Sequence, residues 1–342
     1  MTDRLRHALR QQAEACAGLD SAFMARLCTL LAERLTPDTP LTRRLFDWPG
    51  DLSPAAASIP LRLAGALHAQ VLRGDAALAA VYPPNPADDA ALWQAVQDAL
   101  HREAAFVDRF LDSPPQTNEV RRSAVLIAAG HWLAARHGLP FVFSELGASA
   151  GLNLIWDRFA LALPDRTLGP PDAALILTPR WQGLTPAAAP IAVTDRKGVD
   201  LNPIDIGDAD QRLRLMAYLW ADQPHRLSLT QAAIASDPPC PERADAIDWL
   251  AHRLTPRPGA LHLIWSTVAW QYFPAEAQIR GRALIEAAGA RATADAPLAW
   301  LSYETDGRQP GAALTLRLWP GGETLDFGRA DFHGRWVDWR AP

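Results

Sequence analysis

The 342-residue chain carries 33 Lys and Arg against 38 Asp and Glu, a net charge of −5. The basic residues are dispersed, so neither nucleic acid nor an anionic membrane surface is expected as a partner, and the substrate is expected to be a small molecule or a protein. Hydrophobic residues at 49% and charged ones at 21% describe a packed globular protein with two domains, or one large domain with additions.

Cys16, Cys28 and Cys240 form an odd set with no C-x-x-C. That fits buried packing thiols in a reducing cytosol, not a disulfide framework or a zinc knuckle. The opening "MTDRLRHALR" lacks the apolar stretch of a signal peptide. The best apolar run, Ala124 to Ala135, is interrupted by His131 and too short for a bilayer. A soluble, cytoplasmic protein is the expectation.

Residues 1–138 read as a helical N-terminal domain, a lid or cap. "LRHALRQQAEACAG" and "SAFMARLCTLLAERL" have helical spacing, with Asp20 placed as an N-cap. "SIPLRLAGALHAQVLRG" is a third helix. "DDAALWQAVQDALHREAAFVDRFL" is a long fourth, stopped by Pro114-Pro115. "NEVRRSAVLIAAGHWLAARHG" is a fifth, closed by Gly138. "TPDTPLTRR" and "VYPPNP" read as proline-rich loops.

From Leu139 the pattern changes. "PFVFSEL" reads as a fully covered parallel strand, "GASAG" as a tight turn and "LNLIWDRFALAL" as a helix. Irregular chain follows, with short strands at "AALIL" and "IAV". "GVDLNPID" and two helices parted at Pro224 come next. Then follow a helix in "PERADAIDWLAHRL", a strand in "ALHLIWSTVAW", a helix in "EAQIRGRALIEAAGA" and a strand in "PLAWLSYE". The tail alternates around a hairpin at Pro320-Gly-Gly322. The expected fold class is α/β: a Rossmann-like doubly wound sheet over residues 139–342 with a terminal antiparallel hairpin, preceded by the all-α domain. Insertions are expected at about 164–198 and 207–237.

The turn raises the chemical question. Gly147-Ala-Ser149-Ala-Gly151 is formally G-x-S-x-G, the elbow of a nucleophilic serine. Later acids (Asp200, Asp205, Asp245) and histidines (His262, His333) would complete the order of a serine hydrolase. The same turn, at the carboxyl end of a parallel strand, offers backbone N–H groups and a helix start to a polar ligand. A dinucleotide G-x-G-x-x-G would put its later glycines on Ser149 and Leu152, which argues against NAD and FAD.

Glu145-x-Gly147-x-Ser149-x-Gly151 resembles the first motif of class I S-adenosylmethionine-dependent methyltransferases, with serine replacing the central glycine. The resemblance implies that Gly147, Ser149 and Gly151, with Asn153, wrap S-adenosylmethionine and that Glu145 faces its ammonium group. It implies ribose contact by Asp200 and adenine contact by Asp245, although the spacing to Asp200 is longer than usual for the family. Ser266 would lie at the mouth of the fourth strand. Trp270, Gln271, Tyr272 and Arg226 would line the substrate pocket, and Glu304 or His333 would serve as a base.

The segments "SELGASAGLNL", "GVDLNPID", "YLWADQ", "WSTVAWQYF" and "WPGGE" together resemble an uncharacterised bacterial family, domain of unknown function 2332. That likeness implies a shared fold and no activity. A non-catalytic binding protein on a degenerate cofactor fold is a further alternative. Asp222 reads as an N-cap for the helix after Pro224. The nine histidines do not cluster, and no metal is expected.

Overall fold

In the computed structural model, which describes residues 2–53 and 56–341, apolar stripes gather the first helices around one core. The chain divides into two compact units. One is Met1–Thr117 with Gly207–Ser228, and the other is Asn118–Ile206 with Leu229–Pro342.

The helical unit contains α1 (Thr2–Gly18), α2 (Ala22–Arg34), α3 (Pro40–Phe46), α4 (Ile59–Leu72), α5 (Ala76–Ala79), α6 (Asp89–Arg102) and α7 (Ala104–Leu111). Four expectations change. "TPDTPLTRR" contains α3, because Thr39 and Thr42 close a capping box around Pro40. The long fourth helix breaks at Glu103 into α6 and α7. The N-cap of α2 is Ser21, while Asp20 adopts φ +60°. Asp222 caps α2, not the helix beyond Pro224: it accepts the Ser21 hydroxyl and the Phe23 N–H. The inserted helix α9 (Ala209–Ala217) joins this unit, and Tyr218 and Trp220 enter its core.

The second unit begins earlier than the change in sequence character suggests, at residue 118 instead of 139. α8 (Ser123–His137) belongs to it. Gly130 explains why: a Cβ there would meet the Trp156 ring at 2.1 Å, so the helix lies directly on that indole. Gly138 ends α8 at φ +64°.

The remaining elements are β1 (Phe141–Leu146), β2 (Ala160–Ala162), β3 (Thr167–Leu168), β4 (Ile176–Leu177), β5 (Arg180–Gly183), β6 (Val193–Asp200), α10 (Pro224–Ala235), β7 (Glu242–Arg243), α11 (Ala246–Arg253), β8 (Leu261–Thr267), α12 (Ala275–Gly289), β9 (Leu298–Glu304), β10 (Ala312–Trp319), β11 (Glu323–Ala330) and β12 (Trp336–Trp339). "LNLIWDR" forms a kinked 3-10 segment in place of the expected α-helix, and its continuation becomes β2.

The main sheet has the order β5-β12-β11-β10-β9-β8-β1-β6-β7. From β7 to β9 all neighbours are parallel, and β10 and β11 return antiparallel. Counted along the chain, the parallel strands stand third, second, first, fourth, fifth. This is the doubly wound order, and its direction reverses between β1 and β8, where such sheets bind ligands. β1 and β8 are buried throughout because both faces are covered. Alternation sends Phe143 and Glu145 to the face holding Trp156 and Trp265, and Ser144 and Leu146 to the face of α11 and α12. β10 instead alternates buried and half-buried residues.

Candidate functional site

At the carboxyl end of β1 the chain turns through Gly147, Ser149 and Gly151, with φ of +72°, +53° and +73°. A left-handed serine between left-handed glycines bends the backbone tightly. Side chain and backbone acceptors then take every N–H of the turn. Gly147 and Ala148 donate to the Val199 carbonyl, Ser149 to Asp200 Oδ2, and Gly151 to the Ala148 carbonyl. Ala150 and Leu152 both donate to Asn118 Oδ1, at 3.2 and 2.9 Å. The expectation of free backbone donors for a ligand is therefore corrected. A phosphate would find acceptors here, not N–H groups.

Glu145 lies one residue before the end of β1, 1% exposed. Its Oε2 has no hydrogen-bond partner. Burial pushes its carboxyl up to about 8, and Asp200 adds to the rise. The Trp265 indole and the Arg122 guanidinium act in the opposite sense, although Trp265 Nε1 completes no hydrogen bond of full geometry. A buried carboxyl with an unused oxygen is costly unless a cation or donor reaches it. Arg122 is itself committed, donating to the Thr267 and Phe332 carbonyls at 2.8 Å each.

Beside the turn lies a cavity of about 110 Å³. Gly147, Asp200 and Asp245 reach it from three successive segments of the sheet, and Ile247, Phe273 and Pro274 give it apolar walls. Asp200 shares its carboxylate between the Ser149 and Asn202 N–H groups, each at 2.9 Å. Asp245 caps α11 through Oδ1, accepting from Ile247 and Asp248. Across the switch point, Val268 holds φ +55° directly after β8. This is a strained conformation for a β-branched residue and of the kind that collects at ligand sites. The next residue, Ala269, abuts Gly147: a Cβ on that glycine would stand 2.5 Å from the Ala269 Cβ.

Other expected site residues have different work. Asn153 is fully buried, accepts the Ser123 hydroxyl at 2.7 Å and donates to the Glu119 carbonyl, so it ties the turn to α8 and does not face a ligand. Glu304 is no free base: its carboxylate accepts the N–H groups of Ala269, Trp270 and Gln271. Burial raises its pKa, and those N–H groups partly offset the rise. The Ser266 hydroxyl also acts on Glu304 but completes no hydrogen bond of full geometry.

His333 sits in the β11–β12 turn. β11 is four places from β1 in the sheet, roughly 19 Å at the usual strand spacing. The β11–β12 turn nonetheless reaches back to the mouth of β8, since Arg122 donates to both the Phe332 and the Thr267 carbonyls. Ser149 Oγ is buried without a hydrogen-bond partner, so no imidazole touches it here.

Trp270 is core, packed on Trp300, Phe273 and Gly281. Gln271 accepts the Thr305 N–H, and Tyr272 is 73% exposed. Arg226 belongs to the helical unit, where it donates to Gln223 Oε1 and lies over the Trp220 ring. Cys16 and Cys28 are buried, whereas Cys240 is exposed.

On the opposite face of β1, Ser144 meets His262 Nε2 at 2.7 Å and accepts from Arg253, which pairs with Asp195. Burial, then Arg253 and Arg257, lower His262 to about 3. The imidazole is neutral, and the cluster cements α11 to the sheet. Among the described residues, no three His, Cys, Asp or Glu side chains gather as they would around a metal ion. No helix is long and apolar enough to cross a membrane among those residues.

The sequence from residue 6 to 339 matches the family model described as "Uncharacterized protein conserved in bacteria (DUF2332)". The chain belongs to that family. No curated protein and no solved structure matches this DUF2332 chain.

Proposed function

We propose that this DUF2332 protein is a class I S-adenosylmethionine-dependent methyltransferase. The observation that carries the reading is convergence: Gly147, Asp200 and Asp245 line one cavity. In sequence they are far apart, and only the strand order unites them. The apolar walls suit one flat heterocycle such as adenine. Asp200 keeps acceptor capacity for ribose hydroxyls, since each carboxylate oxygen can take a second hydrogen bond. Glu145, with its unpartnered oxygen, suits the cofactor's ammonium group.

The used-up donors of the turn also support a cationic ligand over a phosphate-bearing dinucleotide. When bound, the cofactor supplies a methyl group on a sulfonium. The chain's part would be to hold it and to align the acceptor, the chief requirement of such a transfer. Glu304 would act by fixing the Ala269–Gln271 backbone, not by moving a proton.

The test is calorimetric titration with S-adenosylmethionine and S-adenosylhomocysteine, on wild type and on Ala277→Trp. Ala277 lines the cavity from α12 and is half-buried, so the indole fills the space without removing a hydrogen bond. Binding by wild type, lost in a variant of unchanged thermal stability, is expected. No binding by folded wild type refutes the reading.

A further inference from the structure

A cleft of about 390 Å³ lies in the helical unit. Its lining contains four arginines, Arg73, Arg102, Arg109 and Arg214, against two acids, Glu103 and Asp210. In a chain of net charge −5, that local excess of cations is against the general trend. Arg102 pairs with Asp75. Arg73 lies over the Phe106 ring at 4.4 Å and Arg214 over the Phe110 ring at 4.2 Å. Arg214 also donates to the Phe110 carbonyl at 2.9 Å.

These contacts orient two guanidinium groups before any ligand arrives. Stacking on a ring leaves the in-plane N–H fork available, which is the geometry that recognises phosphate oxygens. Spacing on the helices aids this. Phe106, Arg109 and Phe110 share one face of α7, and Asp210, Leu213 and Arg214 share one face of α9. Four guanidinium groups against two lining carboxylates leave an excess of positive charge that an anion would offset. The volume falls within the range of small-molecule pockets.

We infer that this cleft binds a small phosphorylated molecule with at least two adjacent anionic groups, of which a diphosphate is the simplest form. Arg109 and Arg73 would clamp the phosphates, with Arg214 on the far side. The inference concerns the helical unit alone and does not depend on the methyltransferase reading.

The experiment is calorimetric titration of the full chain with inorganic pyrophosphate at low salt, with citrate as a carboxylate of comparable charge. Arg109→Ala and the double variant Arg73→Ala/Arg214→Ala are compared with Arg10→Ala, which alters an exposed arginine outside the cleft. Wild type and Arg10→Ala are expected to bind pyrophosphate equally. Arg109→Ala is expected to weaken binding by about tenfold or more, as loss of a charge-assisted contact does. Thermal unfolding of each variant shows that it is folded. Arg109→Lys, which keeps charge but not the fork, is expected to recover only part of the affinity. Absence of pyrophosphate binding by wild type overturns the proposal, as does equal affinity in all variants. Tighter binding of citrate overturns the assignment to phosphate.

Discussion

Replacing Glu145 by glutamine keeps the shape of the side chain and removes its titration. In the native protein the carboxyl titrates near 8, against 4.5 for the unperturbed group. Between those values the folded chain holds a proton that the unfolded chain has released. Stability therefore falls as pH rises: the contribution is complete below about 4.5 and gone above about 8, at about 1.4 kcal/mol per pH unit. From about pH 5.5 to about pH 7.5 the wild type should lose on the order of 3 kcal/mol relative to Glu145→Gln, and on the order of 5 kcal/mol over the whole window. Urea unfolding at a series of pH values measures this directly, because the difference between the two proteins cancels the other titrating groups. Parallel stability curves for wild type and variant would refute the assignment of a buried, uncompensated acid at this position.

Two further outcomes follow from the surrounding backbone. Glu304→Ala strips the acceptor from three N–H groups near Trp270 and should destabilise by about 3 kcal/mol in urea unfolding; an unchanged midpoint would show that water replaces the carboxylate without cost. Gly147→Ala combines a left-handed φ of +72° with a contact of 2.5 Å to the Ala269 Cβ, so a loss of at least about 1–2 kcal/mol is expected from the backbone alone. Adding Ala269→Gly should recover the steric part, and a double-mutant cycle without coupling would contradict that contact.

Much of the sheet was legible because its central strands are covered on both faces and read as unbroken apolar runs. The glycine turn, Asp200 and Asp245 followed from strand order. Asn118 and Arg122 did not, because each reaches the site through a side chain from the segment before α8, and nothing in "TNEVRRS" signals that reach. An aromatic near a strand mouth looks the same in sequence whether it lines a cavity or, like Trp270, packs against α12. The break between α6 and α7 lacks a proline or glycine, so helical spacing ran through it.

The arrangement of donors around Ser149 shifts the burden of shape away from the turn itself. Its curvature is imposed by Asp200 and Asn118, which hold three of its amides from about 50 and about 30 residues away in sequence. Small side chains within the turn that do not line the cavity can then be exchanged for others of like size at little cost. Shortening either remote side chain would release the backbone to other conformations. Gly147 and Gly151 allow the bend, and the two remote side chains hold it.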